Sequence, residues 1–197
     1  MRNHGRQVLA AIALTLVSVA PAAAQGMAKG DMAMEKGTTM VGGQAMYRTK
    51  DIVDNAVNSA DHTTLVAAVK AAGLVGTLKG AGPFTVFAPT NAAFAQLPEG
   101  TVSTLLKPEN KAQLTKVLTY HVVAGAYDAP ALMKAIKSGH GQATLKTVSG
   151  EWLTFMMNGD RNIVVRDAKG GVANISTYDV RQSNGVIQVI DKVLLPS

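Results

Sequence analysis

Gly82-Pro83-Phe84-Thr85-Val86-Phe87-Ala88-Pro89-Thr90-Asn91-Ala92-Ala93-Phe94 packs a turn, a strand and a helix start into one short stretch. The Gly-Pro pair interrupts whatever precedes it. Phe84, Val86 and Ala88 alternate with Thr85 and Phe87, so a strand here carries apolar groups on both faces and needs cover on both. Pro89 has no N–H to give a ladder and ends the strand. Thr90 is an N-cap residue type, placed to start the helical turn that carries Asn91 and delivers Phe94 to the core.

A second stretch, Asn184 to Pro196, has a similar character. Val186, Gln188 and Ile190 point one way along a strand, and Ile187, Val189 and Asp191 the other. Asn184-Gly185 has the chemistry of a tight hairpin turn that would set the strand's register. Lys192–Leu195 reads as one more short strand.

Working outward, the chain before residue 82 is helical in pattern. Ile52, Val53, Ala56 and Val57 share a face behind Asp51. Thr63 and Thr64 open a helix that turns Leu65, Val66 and Val69 inward and stops at Gly73, and Leu74–Leu78 adds a turn. Thr101–Leu106 and Pro108–His121 continue the helical half, and Asp128, Pro130 and Gly139 bracket a further helix. Beyond it come β-branched and aromatic runs, Ala143–Val148, Trp152–Met157, Asn162–Arg166, Val172–Ser176 and Tyr178–Arg181. Ser149-Gly150, Asn158-Gly159 and Lys169-Gly170-Gly171 separate them. Helices first and strands afterwards, without an internal repeat, predict a single α+β domain over about residues 48–197.

The N-terminus has a different character. Arg2 and Arg6 precede the apolar run Val8–Ala20, and Ala22-Ala23-Ala24 supplies small residues for cleavage before Gln25, so residues 1–24 read as a signal peptide. Residues 25–47 read as a flexible Met/Gly-rich linker. Met27, Met32 and Met34 are soft thioether donors of the kind that suits monovalent copper; the plainer reading is a leader in which Met simply recurs. The absence of cysteine excludes disulfides, thiolate metal sites and a lipid-modified cysteine anchor. No later segment reaches membrane-span length, so no stable insertion is expected after cleavage. Residues 1–24 carry two arginines and no acid, so their removal lowers the formal charge from +6 to +4. The remaining basic residues are scattered, which argues against nucleic acid and leaves at most weak attraction to acidic polysaccharide or an anionic surface.

His121 is the residue most suggestive of chemistry. Leu114, Val117, Leu118 and His121 fall at helical spacing on one apolar face, which implies a buried, neutral imidazole bonded to a fixed partner; the competing reading makes it a ligand or partner contact. His62 and His140 fall in turn or loop positions and lack metal-ligand spacing, and His62, behind Asp61 at a helix start, reads as solvated. No Gly-x-Ser-x-Gly turn accompanies the serines, and no glycine run has phosphate-loop spacing. The residues point to no enzyme, no metal centre and no cofactor.

Taken together, the stretch ending at Phe94, the pair Tyr120-His121 and the stretch from Asn184 to Pro196 come in the order and at separations similar to the motifs of the fasciclin-like domain. The likeness runs over nearly all of residues 48–197, and the layout resembles secreted bacterial single-domain members. The resemblance implies a wedge of two β-sheets with a helical layer alongside. It also implies a secreted or periplasmic, non-catalytic cell-adhesion or interaction module that binds a protein or a cell-surface or polysaccharide partner. It makes Tyr120 and His121 candidate partner contacts. Phe84, Thr85, Val86, Phe87, Ala88, Pro89, Thr90, Asn91, Phe94, Asn184, Gly185, Val186, Ile187, Val189, Ile190 and Asp191 become structural motif residues. A different function class is also compatible with a sheet wedge under a helical cover: an envelope protein that holds a small apolar or carbohydrate ligand in a cleft.

Overall fold

The computed structural model describes residues 38–197; the expected signal peptide and Met27, Met32 and Met34 lie outside them. At the centre, strands β3 (Phe84–Pro89) and β9 (Gly185–Ile190) run parallel, in register from Phe84 opposite Gly185 to Pro89 opposite Ile190. Every residue of the two after the first is buried. Val86, Ala88, Ile187 and Val189 face one apolar cluster, shared with the helices, and Phe87 and Ile190 face a second, between the sheet halves. Two cores share one pair of strands, which is why neither strand alternates apolar with polar.

The other strands extend this pair on both sides. Strand β4 (Val122–Ala124) lies antiparallel to β3, and β8 (Val172–Gln182) antiparallel to β9. From β8 the sheet continues through β7 (Asn162–Arg166) and β6 (Trp152–Asn158) to β5 (Gln142–Lys146), giving the order β4-β3-β9-β8-β7-β6-β5. An isolated bridge between Val123 and Thr147 brings the two ends together. Strand β8 belongs to both halves: its first residues pair with β7 and the rest with β9. It merges the two strands expected at Val172–Ser176 and Tyr178–Arg181. Register shifts on either side of Thr177 and a left-handed Asp179 (φ 56°) mark the irregularity between them. The buried Gln188 side chain satisfies that bulge. Its Nε2 donates to Asp179 Oδ1 (2.8 Å) and the Tyr127 carbonyl (3.1 Å), and its Oε1 accepts from the Asp179 amide (3.1 Å). The two sheets of the wedge are thus two halves of one sheet, joined at β8.

The helices lie where the caps place them. Asp51 caps α1 (Ile52–Ala56), and Gly73 ends α2 (Thr63–Ala72) in the left-handed region (φ 75°), followed by α3 (Val75–Leu78). Thr90 Oγ1 accepts from the Ala93 amide to start α4 (Asn91–Ala95); Phe94 is half-buried against the core. Then come α5 (Thr101–Leu105), α6 (Lys111–Tyr120) and α7 (Ala129–Ser138), the last capped by Asp128. Leu132 and Ile136 of α7 pack into the second cluster with Leu153 and Phe155. Among the described residues no helix is long and apolar enough to cross a membrane.

Three readings of the sequence are corrected. Residues 39–46, read as the end of a linker, form a hairpin of β1 (Thr39–Val41) and β2 (Gln44–Met46) with Val41 and Met46 buried in the core. Gly42 and Gly43, both at positive φ, make the two-residue turn, and the tethering of this pair to the domain body is what the linker composition hid. The β8–β9 turn is Ser183-Asn184, since Gln182 pairs with Gly185. Lys192–Leu195 is not a strand; side chains hold it, as described below.

Candidate functional site

Tyr120 closes α6 and His121 caps it. Leu114, Val117 and Leu118 form the buried face of this helix, and the 3.6-residue repeat carries His121 inward with them. Tyr120 is 0% exposed and His121 3%. The pair offers no surface to a partner, and this corrects the reading of both as contact residues.

The His121 ring is held at both nitrogens. Nδ1 lies 2.8 Å from the Val117 carbonyl, and the Leu194 amide donates to Nε2 at 3.0 Å. A carbonyl only accepts and an amide only donates, so the proton is on Nδ1 and the ring is neutral. Its own carbonyl accepts from the Phe87 amide (2.9 Å), which ties α6 to β3. The Tyr120 hydroxyl donates to the Trp152 carbonyl (3.0 Å) and accepts from the Ala168 amide (2.9 Å). Beside it, the buried Asp167 carboxylate accepts from the amides of Lys169 (3.0 Å), Gly171 (2.6 Å) and Leu195 (3.0 Å). His121 and Asp167 thereby hold the tail that was expected as a strand. Both nitrogens of His121 are occupied by backbone groups, so the ring has no free position for proton transfer or for a metal.

Burial pushes the His121 pKa down to about 4, against the opposing pulls of the Val117 carbonyl and Asp167. Burial also lowers His62. The folded state therefore binds fewer protons than the unfolded chain between about pH 6.5 and about pH 4. The stability His121 contributes is complete above that window and is lost as the pH falls through it. Between about pH 7 and about pH 5 the loss is about 2 kcal/mol. Urea midpoints at the two pH values check this, and equal midpoints with a His121 ring that titrates near its ordinary value would refute it.

The polar motif residues are anchors of the same kind. Asn91 Oδ1 accepts from the Thr64 amide (3.0 Å) and its Nδ2 donates to the Ala60 carbonyl (2.8 Å), so it caps α2 from outside. Asn184 Oδ1 accepts from the Ile52 amide (3.1 Å) while Nδ2 donates to the carbonyls of Leu78 (2.8 Å) and Gly80 (3.0 Å). Thr85 Oγ1 donates to the Gly125 carbonyl (2.6 Å) and accepts from the Tyr127 amide (2.8 Å). Asp191 accepts from both the amide and the side chain of Asn174, each at 2.7 Å.

A family model described as the fasciclin domain matches residues 60–196, which contain all three motif stretches. The chain belongs to the fasciclin domain family. Relatives cover it almost whole. Protein sll1483 of Synechocystis is 45% identical over 172 residues, spanning 86% of this chain and 87% of the relative. The immunogenic protein MPB70 of Mycobacterium bovis is 35% identical over 195 residues, 95% of this chain and 92% of the relative. The solved FAS1 domain pair of the insect cell adhesion molecule Fasciclin I matches in fold with a TM-score of 0.66 at 18% identity; the match covers 74% of this chain and 51% of that two-domain chain.

Two further surfaces of this fasciclin domain stand out. The first is the outward face of the β5–β6–β7 half. Trp152 is 56% exposed there, opposite Lys146 across the β5–β6 ladder. Thr154, two residues along the same face, pairs with Arg166, which pairs in turn with the exposed Val172. Neither Lys146 nor Arg166 is in an ion pair among the described residues. The second is an apolar cavity of about 90 Å³ between the helices and β3–β9. His62 lines it and is only 4% exposed, which corrects its reading as solvated; it is buried among the cavity's apolar walls, to which Val41 and Met46 of the hairpin contribute. The sequence allowed a cleft between sheet and helices but could not assign its walls, which come from distant segments, and it placed Trp152 on a strand without fixing which face it occupies.

Proposed function

We propose that this protein is an exported, non-catalytic interaction module of the fasciclin type. It engages a protein or cell-surface partner through the outward face of β5–β6–β7. The observation that carries the reading is Trp152, a large aromatic standing exposed on the same sheet face as Lys146 and Arg166, neither of which is in an ion pair among the described residues. Exposed Trp and Arg residues are the types that dominate binding energy at interfaces, and two cations without a carboxylate partner favour an anionic partner surface. The buried Tyr120 contributes from beneath, since its hydroxyl holds the Trp152 carbonyl. Export rests on the N-terminal pattern of Arg2, Arg6 and the apolar run Val8–Ala20.

The test is binding of labelled protein to intact cells of the source organism. Trp152→Ala and Arg166→Glu each weaken binding by about tenfold or more while circular dichroism and the urea midpoint stay near wild type. Equal binding by both variants would refute this face as the contact surface.

A further inference from the structure

The cavity between the helical layer and β3–β9 has walls that include Val41, Ile52, Leu65, Val69, Val86 and Ile187, drawn from both ends of the domain. Exposed Lys70 and Thr77 also border it, so it reaches the surface. A cavity with apolar walls stays dry, because an ordered water needs several polar partners. Among the polar side chains that border it, His62 alone has a buried nitrogen without a hydrogen bond among the described residues. His62 has Nδ1 engaged at 2.8 Å by Ser59 Oγ, and its Nε2 is buried with no hydrogen bond. The Ala88 carbonyl and Asp61 both favour a proton on the ring, against its burial, but the carbonyl does not reach hydrogen-bond geometry with Nε2. Buried polar nitrogens are nearly always paired, and an unpaired one destabilises the fold.

We propose that this cavity binds a small apolar molecule carrying one hydroxyl group, with the hydroxyl on His62 Nε2 and the hydrocarbon against the Val and Leu walls. A hydroxyl donates and accepts, so it pairs with Nε2 in either tautomer that Ser59 selects. The cavity is too small for a sugar chain, and its walls leave a carbohydrate's other hydroxyls unpaired. The site is separate from the Trp152 face and does not depend on it.

The experiment titrates the ¹⁵N-labelled full chain with benzyl alcohol and with ethylbenzene, its near-isostere lacking the hydroxyl. Saturable shifts in α1, α2 and β3 are expected with both, and a shift of the His62 ring nitrogens with benzyl alcohol alone. In His62→Leu the ratio of benzyl alcohol to ethylbenzene affinity falls about tenfold. Val66→Phe, which narrows the cavity and keeps His62, abolishes binding of both and serves if His62→Leu fails to fold. No saturable binding of either probe overturns the proposal. So does an equal His62 ring response to the two, or binding that survives Val66→Phe unchanged.

Discussion

Tyr120→Ala will destabilise the domain by on the order of 4 kcal/mol, the range for removing a large buried aromatic side chain. The ring is wholly buried in the cluster that also holds Phe87, Leu132 and Phe155, so truncation leaves a void that close-packed neighbours cannot fill. The same change strips the Trp152 carbonyl and the Ala168 amide of their shared partner. Tyr120→Phe separates the two contributions. It keeps the ring and loses only the hydroxyl, at about 1–3 kcal/mol for the groups left unsatisfied. Urea unfolding followed by near-ultraviolet circular dichroism measures both. A Tyr120→Ala variant with a wild-type midpoint would show that the buried ring does not support the core. A binding loss in a Tyr120→Ala/His121→Ala double variant therefore reports unfolding, whereas a loss in Trp152→Ala reports contact.

Gly185→Ala is expected to cost about 3 kcal/mol, the upper end for overpacking, and to cut soluble yield sharply. The reason is the close approach of β9 to β3 where the parallel pair begins. A Cβ on Gly185 would overlap the Phe84 carbonyl, and one on Gly82 would overlap the Asn184 carbonyl in the reciprocal position. The obstacle is backbone on both sides, so relief requires opening the central ladder, beginning with the bond from the Phe84 amide to the Asn184 carbonyl. Gly43→Ala is the control. Its φ is 73° but nothing lies within contact distance, so it pays only left-handed strain of about 1 kcal/mol. Thermal midpoints of the two variants decide the matter; a Gly185→Ala midpoint as high as that of Gly43→Ala would refute the steric account.

The Tyr-His pair shows how far sequence reading reaches into a site. Helical spacing alone placed His121 on an apolar face, and the structure has it buried and bonded to a backbone carbonyl. The family likeness suggested partner contact at the same two residues, and burial removes that role. Asn184-Gly185 is a parallel case. A turn was legible there, but it falls one residue earlier, at Ser183-Asn184; Asn184 is a three-way side-chain anchor and Gly185 makes room for a neighbouring strand. Both residues matter for reasons that no local rule contains.

Local chemistry by itself determined the caps at Thr90 and Asp128, the stop at Gly73, the helical first half and the strand-rich second half, and the order of motifs that marks the family. These depend on interactions within a few residues, where side-chain type and spacing suffice. Only the tertiary structure decided that β3 lies parallel to β9, that the Thr39–Met46 hairpin joins the core, that the tail hangs on His121 and Asp167, and that His62 is buried while Trp152 is exposed. Each of these joins segments far apart along the chain, and a residue's exposure is a property of what packs over it, which its own neighbours in sequence do not specify.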